Sequence, residues 1–140
     1  MYKKILIPLE NSAVDDVILQ HISGLAKLCK STLLLVHVAD GFVARNQEML
    51  NLAESEEMQV DRNYLEAKTA ALKQAGFQVT HRLLCGEPAV ELLKIAEEEQ
   101  CDLIAMATHG HRLLGDIILG SVAEQVRHRT TLPVLMVRAP

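Results

Sequence analysis

LIAMATHGHRLLGDIILGS, residues 103–121, is the stretch from which the rest of the chain is read. Leu103 to Thr108 opens it as an apolar run without alternation, the pattern of a strand buried on both faces. Gly110 and Gly120 then bracket nine residues. At either glycine the backbone can approach a ligand closely or take dihedrals that a side chain forbids. Ser121 reads as the start of a helix running to Arg129. A helix start offers unpaired N–H groups and a partial positive charge, so the natural guest at this junction is an anion.

Outward from that stretch, Lys3 to Leu9 (KKILIPL) and Thr32 to Val38 (TLLLVHV) are two more continuous apolar runs of strand length. Between them Ser12-Ala-Val-Asp15 forms a capping-box pattern. It opens a helix with Val14, Val17, Ile18, Ile22, Leu25 and Leu28 on one side, ending near Lys30. After a polar turn at Asp40-Gly41, Gln47 to Gly76 is charged and helix-favouring, with Met49, Leu52, Leu65, Leu72 and Ala75 as an irregular apolar stripe. Phe77 to Leu84 alternates less cleanly, which places it nearer a sheet edge. Gly86-Glu87-Pro88 starts another helix, with Val90, Leu92, Leu93, Ile95 and Ala96 facing inward before a solvated run from Glu97 to Glu99. Pro133 to Arg138 is the fifth strand. Five strands alternating with four helices predict a parallel sheet wound on both faces, because parallel neighbours need crossover connections. Ligands of such sheets sit beyond the carboxyl ends of the strands, where strand order reverses. The residues there are Pro8, Leu9 and Glu10, then Val38 to Asp40, then Thr108 onward.

Composition narrows the classes. With 140 residues, 49% of them hydrophobic, the chain reads as one domain, 1–140, that needs no staple. The net charge of −4, scattered basic residues and 3% aromatic content argue against a nucleic-acid surface. Cys29, Cys85 and Cys101 are odd in number and far apart, which suits a reduced cytosol and argues against a disulfide frame or a zinc cage. The opening MYKKILIPLEN is too short an apolar run for a signal peptide, and no stretch reaches the ~18 apolar residues a membrane span needs. The expectation is a cytoplasmic protein without membrane insertion.

Several motifs then coincide. Ala107-Thr-His-Gly110, nine residues and Gly120-Ser121 match three of the four marked positions of a phosphate motif, Gly, two residues, Gly, nine residues, Gly, Ser or Thr. Pro8-Leu9-Glu10-Asn11-Ser12 parallels a Pro-x-Asp-x-Ser strand end, His37-Val38 a His-Val pair after strand two, and Pro133 to Val137 a Pro-Val-x-x-Val last strand. Over its full length the chain resembles the universal stress proteins of the nucleotide-binding branch. The resemblance implies strand order 3-2-1-4-5, an adenine nucleotide α-hydrolase-like fold and a bound ATP, ADP or AMP. It implies that Val38 meets the adenine through its backbone, with Pro8, Leu9 and Glu10 on the base and ribose side. Gly110, His111 and Arg112 would lie under the phosphates, with amides and a hydroxyl from Gly120, Ser121 and Val122, and Ala107, Thr108 and His109 would belong to the same nucleotide site. Ala107 stands for the first motif glycine and Glu10 for the aspartate, so a methyl and a methylene enter the pocket. Glu10 could still hold a hydrated magnesium ion, which takes one or two carboxylates plus phosphate oxygens. A homodimer through the last strand, Val134, Leu135, Met136 and Val137, is also implied, and an apolar edge strand is a ready pairing surface.

Plainer roles stand beside these. Ser121 with Glu124 is an ordinary capping box. His109 and His111 have no third metal ligand nearby in sequence, and Arg112 reads equally as a solvated charge. His37 reads as a hydrogen-bonded buried histidine, His21 as a helix-face residue, and Cys85 and Cys101 as small buried apolar groups. No nucleophile elbow, kinase set or P-loop lysine is present, so at most slow ATP hydrolysis is expected. Two functions remain open: a stress-response regulator whose nucleotide occupancy modulates a dimeric module with an unknown protein partner, and a dimeric interaction protein with a vestigial pocket.

Overall fold

The computed structural model describes residues 1–39, 56–108 and 117–140. Five strands alternate with four helices: β1 (Lys4–Pro8), α1 (Val14–Cys29), β2 (Thr32–Ala39), α2 (Glu56–Gln74), β3 (Gln78–Cys85), α3 (Pro88–Glu98), β4 (Leu103–Thr108), α4 (Ile117–Arg129) and β5 (Val134–Arg138). The sheet is parallel, in the order β3-β2-β1-β4-β5. The doubly wound architecture and its strand order are therefore as expected, with the reversal between β1 and β4.

Alternation along the central strands divides the core. Ile5, Ile7, Leu33, Leu35, Leu103 and Ala105 point toward α1 and α2. Leu6, Leu34, Val36, Ile104 and Met106 point toward α3 and α4. A strand flanked by helices on both faces can carry no polar alternation, which is why these runs are continuous. β3 and β5 lie at the edges and are only partly covered.

Helix ends follow local chemistry. Lys30, in the left-handed region at φ 56°, caps α1, and its N–H donates to the Ala26 carbonyl. Proline opens α3, where its missing N–H costs nothing. Gly76, at φ 101°, turns the chain after α2.

Several sequence expectations are corrected. Leu28 is 84% exposed, because the buried stripe of α1 runs through Ile18, Leu19, Ile22 and Ala26, which leaves position 28 round the helix from it. Val90 is likewise exposed while Ala89 is buried, and Ala75 lies beyond α2 in solvent. The inward stripe of α2 is Met58, Asp61, Leu65 and Thr69, half of it polar. Met49 and Leu52 lie outside the described residues. Glu99 is not simply solvated: its carboxylate accepts from Lys4 Nζ at 2.7 Å and Arg82 at 2.8 Å. Cys101 is buried, and burial pushes its thiol up to about 11, whereas Cys85 is only partly covered.

Candidate functional site

The crevice begins where β1 stops. Pairing of β1 with β2 continues to Pro8↔Val36, whereas pairing with β4 ends at Leu6↔Ile104. Pro8 has no N–H with which to extend it. β2 nevertheless runs on to Ala39, and β4 to Thr108. Ladder geometry then fixes what faces the gap. The Leu9 N–H donates to the Val36 carbonyl at 2.8 Å, so even-numbered residues of β2 turn their main chain toward β1, and Val38 does so beyond its end. On the other wall, Ile104 N–H donates to the Pro133 carbonyl and the Thr108 carbonyl accepts from Ala139. Those residues face β5, so Ala107 turns its main chain the other way, toward the line of β1. Its methyl is 2% exposed and belongs to the core on the α1 side, so the expected intrusion into the pocket is taken up by packing.

The floor is the loop from Leu9 to Ala13, and its shape is set by one carboxylate. Asp15, 1% exposed, accepts the N–H groups of Glu10 (3.0 Å), Asn11 (2.8 Å) and Ser12 (3.3 Å). Tyr64 of α2 donates its phenol to the same carboxylate at 2.6 Å. Burial first, and then the hydrogen bond and charge of Asp15, push that phenol far above its ordinary range, so it stays a donor. The capping box is thus half as expected. The acid does reach back, but it gathers three amides, while Ser12 Oγ lies 3.3 Å from the Val14 N–H that donates to it and itself donates to Glu10 Oε1 at 2.7 Å. Asn11 occupies the left-handed region at φ 65°, a conformation asparagine tolerates better than most residues.

A second carboxylate approaches from α2. Asp61 is 7% exposed; its Oδ1 accepts from Asn11 Nδ2 at 3.0 Å, and its Oδ2 lies 3.2 Å from His37 Nε2. The other ring nitrogen of His37 sits 2.7 Å from the Leu9 carbonyl. The hydrogen-bonded role expected of His37 is therefore present, but the residue is half-buried rather than buried, and Asp61 and Tyr64 were not signalled by any sequence motif.

Of the residues singled out earlier, Pro8, Leu9, Glu10, Val38, Ala107 and Thr108 surround this gap. The side chains of Pro8 and Leu9 are buried, so main chain is what they present. His109, Gly110, His111 and Arg112 lie outside the described residues. The last helix begins at Ile117, so Ser121 is not its first residue. Ser121 and Val122 stand in its second turn, where their amides already belong to the helix ladder, and Gly120 ends the first. The Ser121–Glu124 capping box is absent: Ser121 Oγ accepts from Gln125, Glu124 pairs with Arg127 at 2.8 Å, and Val122 packs into the α3–α4 core. No group of three or more potential metal ligands occurs among the described residues. Two surface hollows, of about 330 Å³ beside Lys27, Lys30 and Phe77 and about 460 Å³ beside Glu97, Cys101 and Arg129, lie away from this rim.

The chain has counterparts among known proteins. The family model described as the universal stress protein family matches residues 1–138. The chain belongs to the universal stress protein family. Universal stress protein MJ0577 of Methanocaldococcus jannaschii is 32% identical over 155 residues, covering 99% of this chain and 96% of that relative. The solved structure of MJ0577 matches with a TM-score of 0.83 and 34% identity, over 100% of this chain and 98% of the other. A universal stress protein from Archaeoglobus fulgidus, solved in complex with dAMP, shares the fold at TM-score 0.72 and 19% identity, covering 97% and 98% of the two chains. Among the described residues of this universal stress protein, no helix is long and apolar enough to cross a membrane.

Proposed function

We propose that this universal stress protein binds an adenine nucleotide in the crevice beyond β1, and that occupancy modulates a dimeric regulatory module. The observation that carries the reading is the early end of β1, which leaves the main chains of Val38 and Ala107 turned toward one gap. Strand main chain offers a donor and an acceptor side by side, which suits the amino group and ring nitrogen on an adenine edge. Glu10, at the mouth of the gap, is an acceptor for ribose hydroxyls or for a magnesium ion that arrives with phosphates. Thr108, His109, Gly110, His111, Arg112 and Gly120 are the positions proposed for the phosphate end, with the hydroxyl of Ser121. The dAMP complex of the Archaeoglobus fulgidus relative supports an adenine nucleotide as the class of guest. Of the two residues that favoured a vestigial pocket, Ala107 and Glu10, the first is packed into the core. The proposed dimer pairs β5 with its symmetry mate; β5 is an edge strand, and its Met136 is among the exposed large apolar residues.

Titration of the protein with adenosine, AMP and ATP, with and without magnesium, tests this. Affinity is expected to rise with phosphate number. Gly120→Leu is expected to lose ATP binding while sedimenting as a folded dimer. Unchanged ATP affinity in that variant would remove the phosphate assignment, and a wild-type protein that binds none of the three would remove the reading itself.

A further inference from the structure

Asp61 is out of place for a packing residue. It lies on the inward stripe of α2 with Met58, Leu65 and Thr69, and a carboxylate there loses hydration that an apolar side chain would not miss. What it gains is specific. One oxygen takes the Asn11 side chain and the other meets the His37 ring, whose far nitrogen sits against the Leu9 carbonyl. Both connections end on the loop that floors the crevice, one at Leu9 and one at Asn11. The neighbouring turn of α2 adds a third, through Tyr64 to Asp15 and so to the amides of Glu10, Asn11 and Ser12.

We propose that Asp61 is a positioning residue for the base and ribose side of the crevice, acting through His37 and Asn11, and that α2 is thereby coupled to what occupies the crevice. This rests on the nucleotide reading above. The Leu9 carbonyl and the Asn11 backbone bracket Glu10, whose carboxylate accepts from Ser12 Oγ at 2.7 Å within the same loop. Fixing both neighbours fixes Glu10. Coupling of this kind is reciprocal: if α2 orders the loop for the ligand, the ligand must order α2 by the same free energy.

The experiment uses three variants of the full chain. Asp61→Ala removes both contacts. Asp61→Asn keeps an acceptor for Asn11 and offers an amide N–H to His37 Nε2, which accepts it while Nδ1–H donates to the Leu9 carbonyl. Asn11→Gly removes the side-chain link alone and tolerates the left-handed backbone. In the unliganded protein, amide exchange of residues 9–12 is expected to quicken in Asp61→Ala and Asn11→Gly and to stay near wild type in Asp61→Asn. Adenosine, AMP and ATP are expected to weaken by the same factor in Asp61→Ala, about tenfold, the size of one lost hydrogen-bond link. A defect at the phosphate end would instead grow with phosphate number. In wild type, adenosine is expected to slow exchange along α2, and this protection is expected to vanish in Asp61→Ala at temperatures where the variant remains folded. A merely structural aspartate would lower the melting temperature and leave ligand-induced protection of α2 unchanged. Unaltered exchange at residues 9–12, or full protection of α2 by adenosine in the alanine variant, overturns the proposal. A wild type that binds no adenine compound sinks the nucleotide reading and the ligand coupling together, while the unliganded exchange still decides whether Asp61 positions the loop.

Discussion

β1 is held at both ends by an aspartate that collects main-chain amides, and the two ends are built on opposite principles. At its start, Asp102 accepts from Lys3 and Lys4 at 2.9 and 3.0 Å, beside the Lys4–Glu99–Arg82 ion pairs. These charges are neutralised by other charges close to solvent. At its end, Asp15 and Asp61 are buried, and the partners drawn in around them are amides, a phenol and an imidazole. The first arrangement anchors a strand that would be paired in any case. The second dictates the path of a loop that no ladder supports, on the rim where parallel sheets take their ligands. The contrast separates stability from function: charge pairs at one rim, and buried acceptors holding a shaped backbone at the other.

The sharpest way to break the contrast is to delete each aspartate. Asp15→Ala leaves three loop amides and a half-buried phenol without an acceptor, a loss on the order of 3 kcal/mol. Asp102→Ala exposes two amides that water can reach, and is expected to cost about 1 kcal/mol. Urea unfolding of both variants, compared at equal slope, measures the difference. Equal losses would mean that burial is not what distinguishes the rims.

A smaller effect separates them by pH. The Tyr64 phenol is raised in the folded protein by burial and by Asp15. A raised folded value means that its stabilisation is complete below the unfolded value, near pH 10, and drains away as the pH rises past it. Tyr64→Phe is expected to cost about 1.5 kcal/mol at neutral pH, one hydrogen bond to a charged group at the lower end of its range. Its stability should then stay flat where that of the wild type declines. Parallel alkaline melting curves for the two proteins would show that the link between α2 and Asp15 contributes little.

How much of this was legible in the chain depends on range. The three central strands announced by continuous apolar runs, and the early proline of α3, are local signals, and the sheet followed from them. Asp15 was legible only as a capping residue, because its amides lie within five positions; Tyr64 and Asp61 reach the loop from 49 and 50 positions away, and no local pattern marks such partners. Ser121 misled for a different reason. A serine after a glycine looks like a helix start, but a glycine inside a helix costs only about 1 kcal/mol, and the helix takes in Gly120 and begins at Ile117. Leu28 shows the reverse error: composition places it inside, and the helical repeat puts it outside.

The smallest test belongs to the entry rim. Glu99 is held below its ordinary value chiefly by the hydrogen bond from Lys4, with Lys4 and Arg82 charges adding to it against some desolvation. A lowered folded value means that the contribution is present above the ordinary glutamate range and is lost as the pH falls through the folded value. The glutamate side chain is 23% exposed and its Arg82 partner 52%, so solvent screens the pair and the contribution is about half a kcal/mol. Glu99→Gln should therefore lower the melting temperature slightly at neutral pH, less so in 1 M salt, and merge with wild type in acid. It should also leave affinity for any crevice ligand untouched, since the Lys4–Glu99–Arg82 group sits at the opposite end of β1 from Glu10. A Glu99→Gln protein that folds normally but binds ligand more weakly would mean that the two ends of β1 communicate, and the division between an anchoring rim and a functional one would have to be given up.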